Sequence, residues 1–309
     1  MLLSLLYMVW QKFLKKLFVR LRKKGVVWWT MDMYTTHIKA KTGWFDIDLK
    51  ELYQYRDLVW LFFKRNYATR YKQTILGPLW LIVNPLISVS LYAVIFGGLA
   101  GLSTDGIPQF VFYLCSNALW SFFSACLIQT SNTFTENAAI MGKVYFPRLV
   151  MPISSVFTGM LDLVIQLTML VVIMIIYTIT GYRFELGSIL LLAPILILQT
   201  GILGLGFGII IASLTTKYRD LVVLVGFGVS LWMYATPVVY TADIIPTKYL
   251  NLYMINPMAP IMECWRNVTI GAGIFQWAYW GLSWIITIIV FLAGIVLFSH
   301  IEKTFMDTV

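Results

Sequence analysis

Apolar stretches of spanning length recur six times along the chain, at about 75–99, 109–130, 150–179, 188–213, 221–240 and 277–299. A transmembrane helix takes roughly 20 apolar residues, so each stretch predicts a span. An even number of spans returns the C-terminus to the side of the N-terminus. Immediately before the first span the pattern changes. RDLVWLFFKRNYATRYKQ, from Arg56 to Gln73, mixes apolar positions with Arg56, Lys64, Arg65, Arg70 and Lys72, whereas Leu76 to Leu99 carries no charged side chain. The two halves need different solvents, which predicts a basic interfacial helix running into a span. Further upstream, Leu6, Trp10, Phe13, Leu14, Leu17 and Leu21 follow helical spacing, with Lys12, Lys15, Lys16, Arg20, Lys23 and Lys24 among them. That is a basic amphipathic helix suited to an anionic membrane surface. Met31 and Met33 keep a later start open as the alternative reading of residues 1–30. The charges follow the apolar part and no small-residue cleavage site appears, which argues against a signal peptide.

Composition turns this pattern into a class. Of 309 residues, 60% are hydrophobic and 12% charged, with a mean hydropathy of +0.80. Soluble domains are about 45–50% apolar and about 25% charged. The chain is therefore read as an integral, all-α membrane protein. Its net charge of +9 sits beside the spans rather than on a soluble face, so it does not indicate nucleic-acid binding. Twenty of the 23 Lys and Arg fall before the first span, in the second-to-third and fourth-to-fifth connections, or in the C-terminal tail. The other side holds only Arg183, Lys248 and Arg266. This asymmetry predicts that both termini are cytoplasmic. The dispersed cysteines, Cys115, Cys126 and Cys264, predict neither a disulfide nor a metal site.

Soluble catalytic patterns are lacking. Gly142-Lys143 is followed by Val144 and has no phosphate-loop frame, and His37 and His300 are isolated. Gly201, Gly204, Gly206 and Gly208 lie inside an apolar stretch, where a G-x-x-x-G face predicts close helix packing rather than a nucleotide loop. Asp162 is the one carboxylate well inside a span. A polar contact on a pathway and a hydrogen bond to a neighbouring helix or a second copy are both open for it, and the structural role is favoured. NAAIMGKVYFPRLVMP, residues 137–152, predicts a short amphipathic helix with Pro147 and Pro152 punctuating its end. TTKYRD, residues 215–220, is a tight charged connection that suits either a partner contact or an ordinary turn. The connection 241–276 is too apolar for a solvated loop and is broken by Pro246, Pro257 and Pro260. It predicts short helices dipping back into the membrane, with a folded external cap as the alternative.

Several passages in order resemble the permease subunits of ABC-2-type exporters. They are RYKQTILGPLW at 70–80, NAAIMGKVYFPRLVMP at 137–152, KYRDL at 217–221, TPVVY at 236–240 and NPMAP at 256–260. GWFDIDLKELYQYRDL at 43–58 is similar to the lead-in of the branch that exports lipopolysaccharide O antigen; capsule and teichoic acid permeases are related. The resemblance covers about 43–309. Residues 1–30 fall outside it, and Asn84 stands before Pro85 where relatives often have Gln.

The resemblance implies a fold of six transmembrane helices with an N-terminal amphipathic interfacial helix and external re-entrant helices. The domain reading is an N-terminal cytoplasmic extension over 1–48 and a permease domain over 49–309. The implied function is transport of lipid-linked polysaccharide, O antigen foremost, across the bacterial inner membrane. Capsule, teichoic acid, drug or small-lipid export is the alternative, and a membrane-embedded glycan-processing enzyme or a passive channel stands further off. The chain would pair with a second copy and two ATPase subunits, bind no cofactor itself, and leave ATP and Mg to the partner.

The resemblance also implies roles. A helix at 51–66 would lie along the inner surface with Arg56, Lys64, Arg65, Arg70 and Lys72. Asn137, Met141, Lys143, Tyr145, Phe146 and Arg148 would form the main ATPase-coupling element, and Lys217, Tyr218, Arg219 and Asp220 the second. A gate near the external mouth would use Pro237, Tyr240, Pro246, Asn256, Pro257, Glu263 and Arg266. Trp80, Trp120, Phe122, Phe123, Trp232 and Tyr234 are candidates for a channel wall, because aromatic faces pack on sugar C–H faces. Lipid contact and core packing remain open for each.

Overall fold

A computed structural model describes residues 49–308 except 73, 142, 145, 185–189 and 216–219. The expected leader helix and extension over 1–48 lie outside the described residues, as do Tyr145, Lys217, Tyr218 and Arg219. The described residues are helical, with no strand among them.

The interfacial segment is two helices rather than one over 51–66: α1, Leu49–Gln54, and α2, Arg56–Tyr71. Asp57 in the first turn of α2 and Arg70 in its last complement the helix dipole. Gly77 then takes φ +52°, a left-handed turn that favours glycine, and Pro78 opens a short 3-10 turn, Gly77–Leu79. From there α3, Trp80–Tyr92, runs into a π-helical end, Ala93–Leu99, and carries Pro85 in its interior. The remaining helices are α4, Gln109–Ser131; α5, Thr133–Met141; α6, Val150–Ile179; α7, Ala193–Thr215; α8, Leu221–Tyr234; α9, Thr247–Tyr253; α10, Met258–Ile270; and α11, Trp277–Thr308.

Five helical segments are long and apolar enough to cross a membrane: Gly77–Leu99, Gln109–Ser131, Val150–Ile179, Ala193–Thr215 and Trp277–Phe298. The fifth predicted span, 221–240, contains a shorter helix than the others. Its helix, α8, has 14 residues, about 21 Å at 1.5 Å per residue against a hydrocarbon core of about 30 Å. It stops at Tyr234 because Pro237, which has no N–H, follows within a turn. The amphipathic helix expected over 137–148 is likewise shifted. It runs from Thr133 to Met141, and turns lead through Pro147 into α6, since a proline disfavours helix at the residue before it.

α4 is the central helix, buried along most of its length. α6 and α7 pack on it, α11 packs on the far side of α7, α3 rests against α4 and α6, and α2 crosses α6. Glycines set the closeness of these contacts. A Cβ on Gly204 would lie 2.8 Å from Cys126 Cβ, and one on Gly208 would lie 2.5 Å from Thr130 Cβ, so this face of α7 presses on α4. Gly206 turns the other way, where a Cβ would meet the Phe291 backbone at 3.0 Å, and Gly294 of α11 faces the Gly206 carbonyl. The glycine-packing expectation therefore holds. The outer faces of α6 and α11 stay apolar and exposed, with Val171, Val172, Ile175 and Ile176 on one and Ile285, Ile288, Ile289 and Leu292 on the other. This is the pattern of lipid-facing surface.

The connection 241–276 contains the two short helices α9 and α10. α10 is buried against α4, α7 and α11 and ends at Gly271 in the left-handed region, φ +74°. It is embedded among the long helices, not placed over them as a cap.

Gly208→Leu is expected to lower the thermal midpoint of the purified protein, since overpacking costs about 1–3 kcal/mol or more. Gly281→Ala, where a Cβ meets nothing within 4 Å, should leave it unchanged. Equal midpoints for the two variants would contradict the packing account.

Candidate functional site

Two polar assemblies stand out from the apolar bundle. The first begins at α2. Phe62 on its inner face is buried with Phe134, Met141, Phe146, Val150 and Met151, and the Phe62 and Phe146 ring centroids are 5.6 Å apart. This cluster docks α2, the end of α5 and the start of α6 together. Beside it Arg65 Nη2 donates to Asn137 Oδ1 at 2.6 Å, and Asn137 Nδ2 donates to the Thr133 carbonyl at 3.0 Å. One turn further Arg70 Nη1 donates to Asp162 Oδ2 at 2.6 Å, bridging α2 to the middle of α6. Burial, and after it the Asp162 charge, raises the Tyr71 phenol to about 12 and also raises that of Tyr67, so both remain neutral donors.

These residues border a crevice of two chambers that share Arg70. The outer, about 490 Å³, lies among α2, the α4–α5 junction and α6, with Arg65, Glu136 and Asn137 on its wall. The inner, about 180 Å³, lies among α3, α4 and α6, with Trp80, Asn84, Asn117, Asp162 and Gln166 on its wall. Asn117 Nδ2 donates to Gln166 Oε1 at 3.2 Å. The sequence reading missed Asn84, Asn117 and Gln166. Their signal was available: amides within spans make interhelical hydrogen bonds or border polar cavities.

The second assembly joins the end of α8 to α10. Asn256 uses its side chain fully. Oδ1 accepts from Trp232 Nε1 at 3.0 Å and from the Met258 amide at 3.2 Å, while Nδ2 donates to the Ala235 carbonyl at 3.0 Å and to Thr236 Oγ1 at 2.9 Å. Below it Glu263 and Arg266, both buried, pair directly across one helical turn. Glu263 also accepts from the amides of Ala242 and Ile274, each at 3.1 Å, and Arg266 donates to the carbonyls of Pro237 and Tyr240 and lies over the Phe112 ring. Tyr240 Oη lies 3.0 Å from Tyr253 Oη and donates to the Tyr234 carbonyl. Pro257 supplies a carbonyl to Ser283, and Pro246 precedes α9. The seven residues predicted for a gate thus occupy one segment, and all but Pro246 share this network.

The predicted channel aromatics divide. Phe122 and Phe123 are buried, and Trp120 nearly so. Phe122 fills the space left by Gly159 and Gly201, and Phe123 stacks edge-on with Trp232 at 5.2 Å. These rings are spent on helix packing, which corrects their assignment to a channel wall. Trp80 borders the inner chamber, and Tyr234 is exposed. Along the strip predicted for coupling, Met141 and Phe146 are buried, Arg148 is partly covered, and Lys143 and Val144 are exposed. Asp220 is exposed at the start of α8. Of the basic residues on α2, Arg56 lies over the Tyr53 ring, Lys64 over Trp60, and Lys72 caps the helix end.

An all-helical multi-pass membrane protein with an interfacial helix, a polar crevice at its foot and a buried helical segment returning among its spans has the build of a membrane transport subunit. The ABC-2 type transporter family matches residues 57–270, and the chain belongs to it. Over 252 residues the chain is 29% identical to the O-antigen export system permease protein RfbA of Klebsiella pneumoniae, covering 81% of this chain and 94% of that relative. A second RfbA from the same organism is 28% identical with the same coverage. The RfbA of Myxococcus xanthus is 29% identical over 223 residues, 71% of this chain and 83% of its own length.

Arg266→Met is expected to cost about 3–5 kcal/mol, because it strands a buried carboxylate. The double variant Glu263→Gln with Arg266→Met should recover part of that loss in thermal melts. A double variant as unstable as the sum of the singles would show that the pair is not coupled.

Proposed function

We propose that this chain is the permease subunit of an ATP-driven exporter that moves lipid-linked polysaccharide, with O antigen as cargo, from the cytoplasm across the inner membrane. The observation that carries this reading is the similarity to O-antigen export permeases over nearly their whole length, within a family match that takes in the interfacial helix, the coupling strip and the buried return segment. The chain works as a pair, with two ATPase subunits supplying ATP hydrolysis and Mg. Both termini lie in the cytoplasm, α8 and the residues after it complete the sixth crossing, and 1–48 is an extension ahead of the permease domain.

Coupling follows from how the strip is mounted. Lys143 and Val144 are presented outward, while Met141 and Phe146 beside them are anchored against Phe62 of α2. Force applied by an ATPase on the exposed pair passes into α2 and α6 as a rigid-body displacement. Moving those helices changes the crevice between them. Residues 217–220 form the second contact.

Deletion of the chain should strip O polysaccharide from the cell surface and strand it in the cytoplasm, seen on gels of surface and cytosolic fractions. Normal surface polysaccharide after deletion would reject the cargo assignment. Lys143→Glu with Val144→Asp should abolish ATPase copurification and export at unchanged protein level and thermal midpoint. Intact copurification would reject the coupling role of this strip.

A further inference from the structure

The facing sides of α2 and α6 are joined at two places, with a gap between them. At the foot, Phe62 is packed with Phe146, Val150 and Met151, and Arg65 is tied to Asn137. From Phe62 to Arg70 is roughly two helical turns, about 12 Å. There Arg70 reaches Asp162 of α6 at 2.6 Å. Between the two joints lies the outer chamber, with Asn66 and Thr69 of α2 and Ser154, Ser155 and Thr158 of α6 on its wall. Such groups could lace the helices together, yet they bond within their own helices. Ser154 and Ser155 donate to the Met151 carbonyl at 2.7 and 3.3 Å, and Thr158 donates to the Ser154 carbonyl at 3.0 Å. Asn66 accepts from Arg65 at 3.1 Å. Among the described residues, Arg70–Asp162 is the one side-chain hydrogen bond from α2 to α6.

We propose that α2 is a hinged flap on α6, with the Phe62 cluster as its fulcrum and the Arg70–Asp162 pair as a latch that opens and closes in the transport cycle; the inference rests on the ATP-driven transport reading and adds its moving joint. Three features suit α2 to this motion. Swinging its far end away from α6 breaks one polar bond, because the Ser154, Ser155 and Thr158 hydroxyls keep their own-helix partners whether the gap is narrow or wide. Displacing Asn256, by contrast, breaks four bonds at once. The latch itself is reversible. Arg70 is exposed and is rehydrated when it lets go, while Asp162 stays mostly covered and keeps the charge that draws it back. The chain beyond the flap can also give: Gly77 follows at φ +52°, and a Cβ there would meet nothing within 4 Å. At the other end the fulcrum shares its apolar cluster with Met141 and Phe146. A push on that strip therefore rocks α2 about Phe62. Arg70 borders both chambers of the crevice, so its release opens one toward the other.

The test reads distances between α2 and α6 by double electron–electron resonance on nitroxide labels, in the full chain with its ATPase subunits in lipid nanodiscs. Cys115, Cys126 and Cys264 are buried, so the labels go to introduced cysteines. Lys72→Cys with Val164→Cys reports the latch end, and Leu61→Cys with Ile153→Cys reports the fulcrum. Labelled chain is diluted with unlabelled chain, so that distances within one copy are read. Between the nucleotide-free and vanadate-trapped states the latch-end distance should shift on the order of 5 Å, the rise of one helical turn, while the fulcrum distance stays. Equal shifts at both ends, or none at the latch end, overturn the hinge. A second arm uses the chain without ATPase subunits. Arg70→Met should move the latch end to the longer distance at unchanged thermal midpoint, and Arg70→Lys, which keeps the charge, should hold the shorter one. A distance indifferent to Arg70→Met, or displaced as far by Arg70→Lys, overturns the latch. Neither arm reads the cargo. If deletion of the chain leaves surface glycan intact while the distances behave as stated, the cargo assignment has failed and the latch stands. If deletion removes the glycan while the distances stay fixed, the latch alone has failed.

Discussion

The close approach of α7 to the helices on either side of it is the contact on which the rest of the bundle depends. Inside a bilayer, burying one leucine against another gains little over burying it in lipid, so association rests on van der Waals contact at short range. Gly204 and Gly208 remove the side chains that would hold α4 away, and Gly206 with Gly294 does the same for α11. α4, α7 and α11 become a slab with little room to shear. Phe122, set into the notch at Gly159 and Gly201, extends the slab to α6.

Two polar assemblies are mounted on this slab, and they differ in kind. The segment around Asn256, Glu263 and Arg266 is held by hydrogen bonds to backbone, and Glu263 and Arg266 are fully buried. Such a network fixes one arrangement and resists partial opening. The crevice at the foot of α6 is bordered instead by α2 and α3, which lie outside the slab. Its ion pair involves Arg70, whose side chain is 46% exposed, so the pair contributes modestly to stability. A transporter needs both properties: a part that keeps its shape and a part whose opening can be driven.

The passage from Met141 to Phe146 shows how one short stretch serves both core and surface. Its buried members belong to the core beneath α2, and its exposed members form surface. Substituting Phe146 disturbs folding locally, whereas substituting Lys143 alters a surface, so the two changes test different things although they are three residues apart.

Much of the fold was legible in the chain. Runs of uncharged apolar residues located the long helices to within a few residues, because spanning length and lack of charge are local properties. The glycine spacing at 204 and 208 announced a contact face for the same reason, and Gly77-Pro78 announced the bend after the interfacial helix. What lay beyond reach was the identity of partners. Arg70 and Asp162 are 92 residues apart, and Asn117 and Gln166 are 49 apart. Periodicity gives each helix a face but does not say which helix that face meets. The aromatics were misjudged on the same account: Phe122 and Phe123 look like Trp80 in sequence, yet Gly159 and Gly201 make room for Phe122 in the core and Phe123 packs against Trp120 and Trp232. The sequence by itself determined where the chain enters lipid and which end carries charge. Only the tertiary structure decided which polar groups satisfy one another, because satisfaction depends on distances between helices that no local pattern encodes.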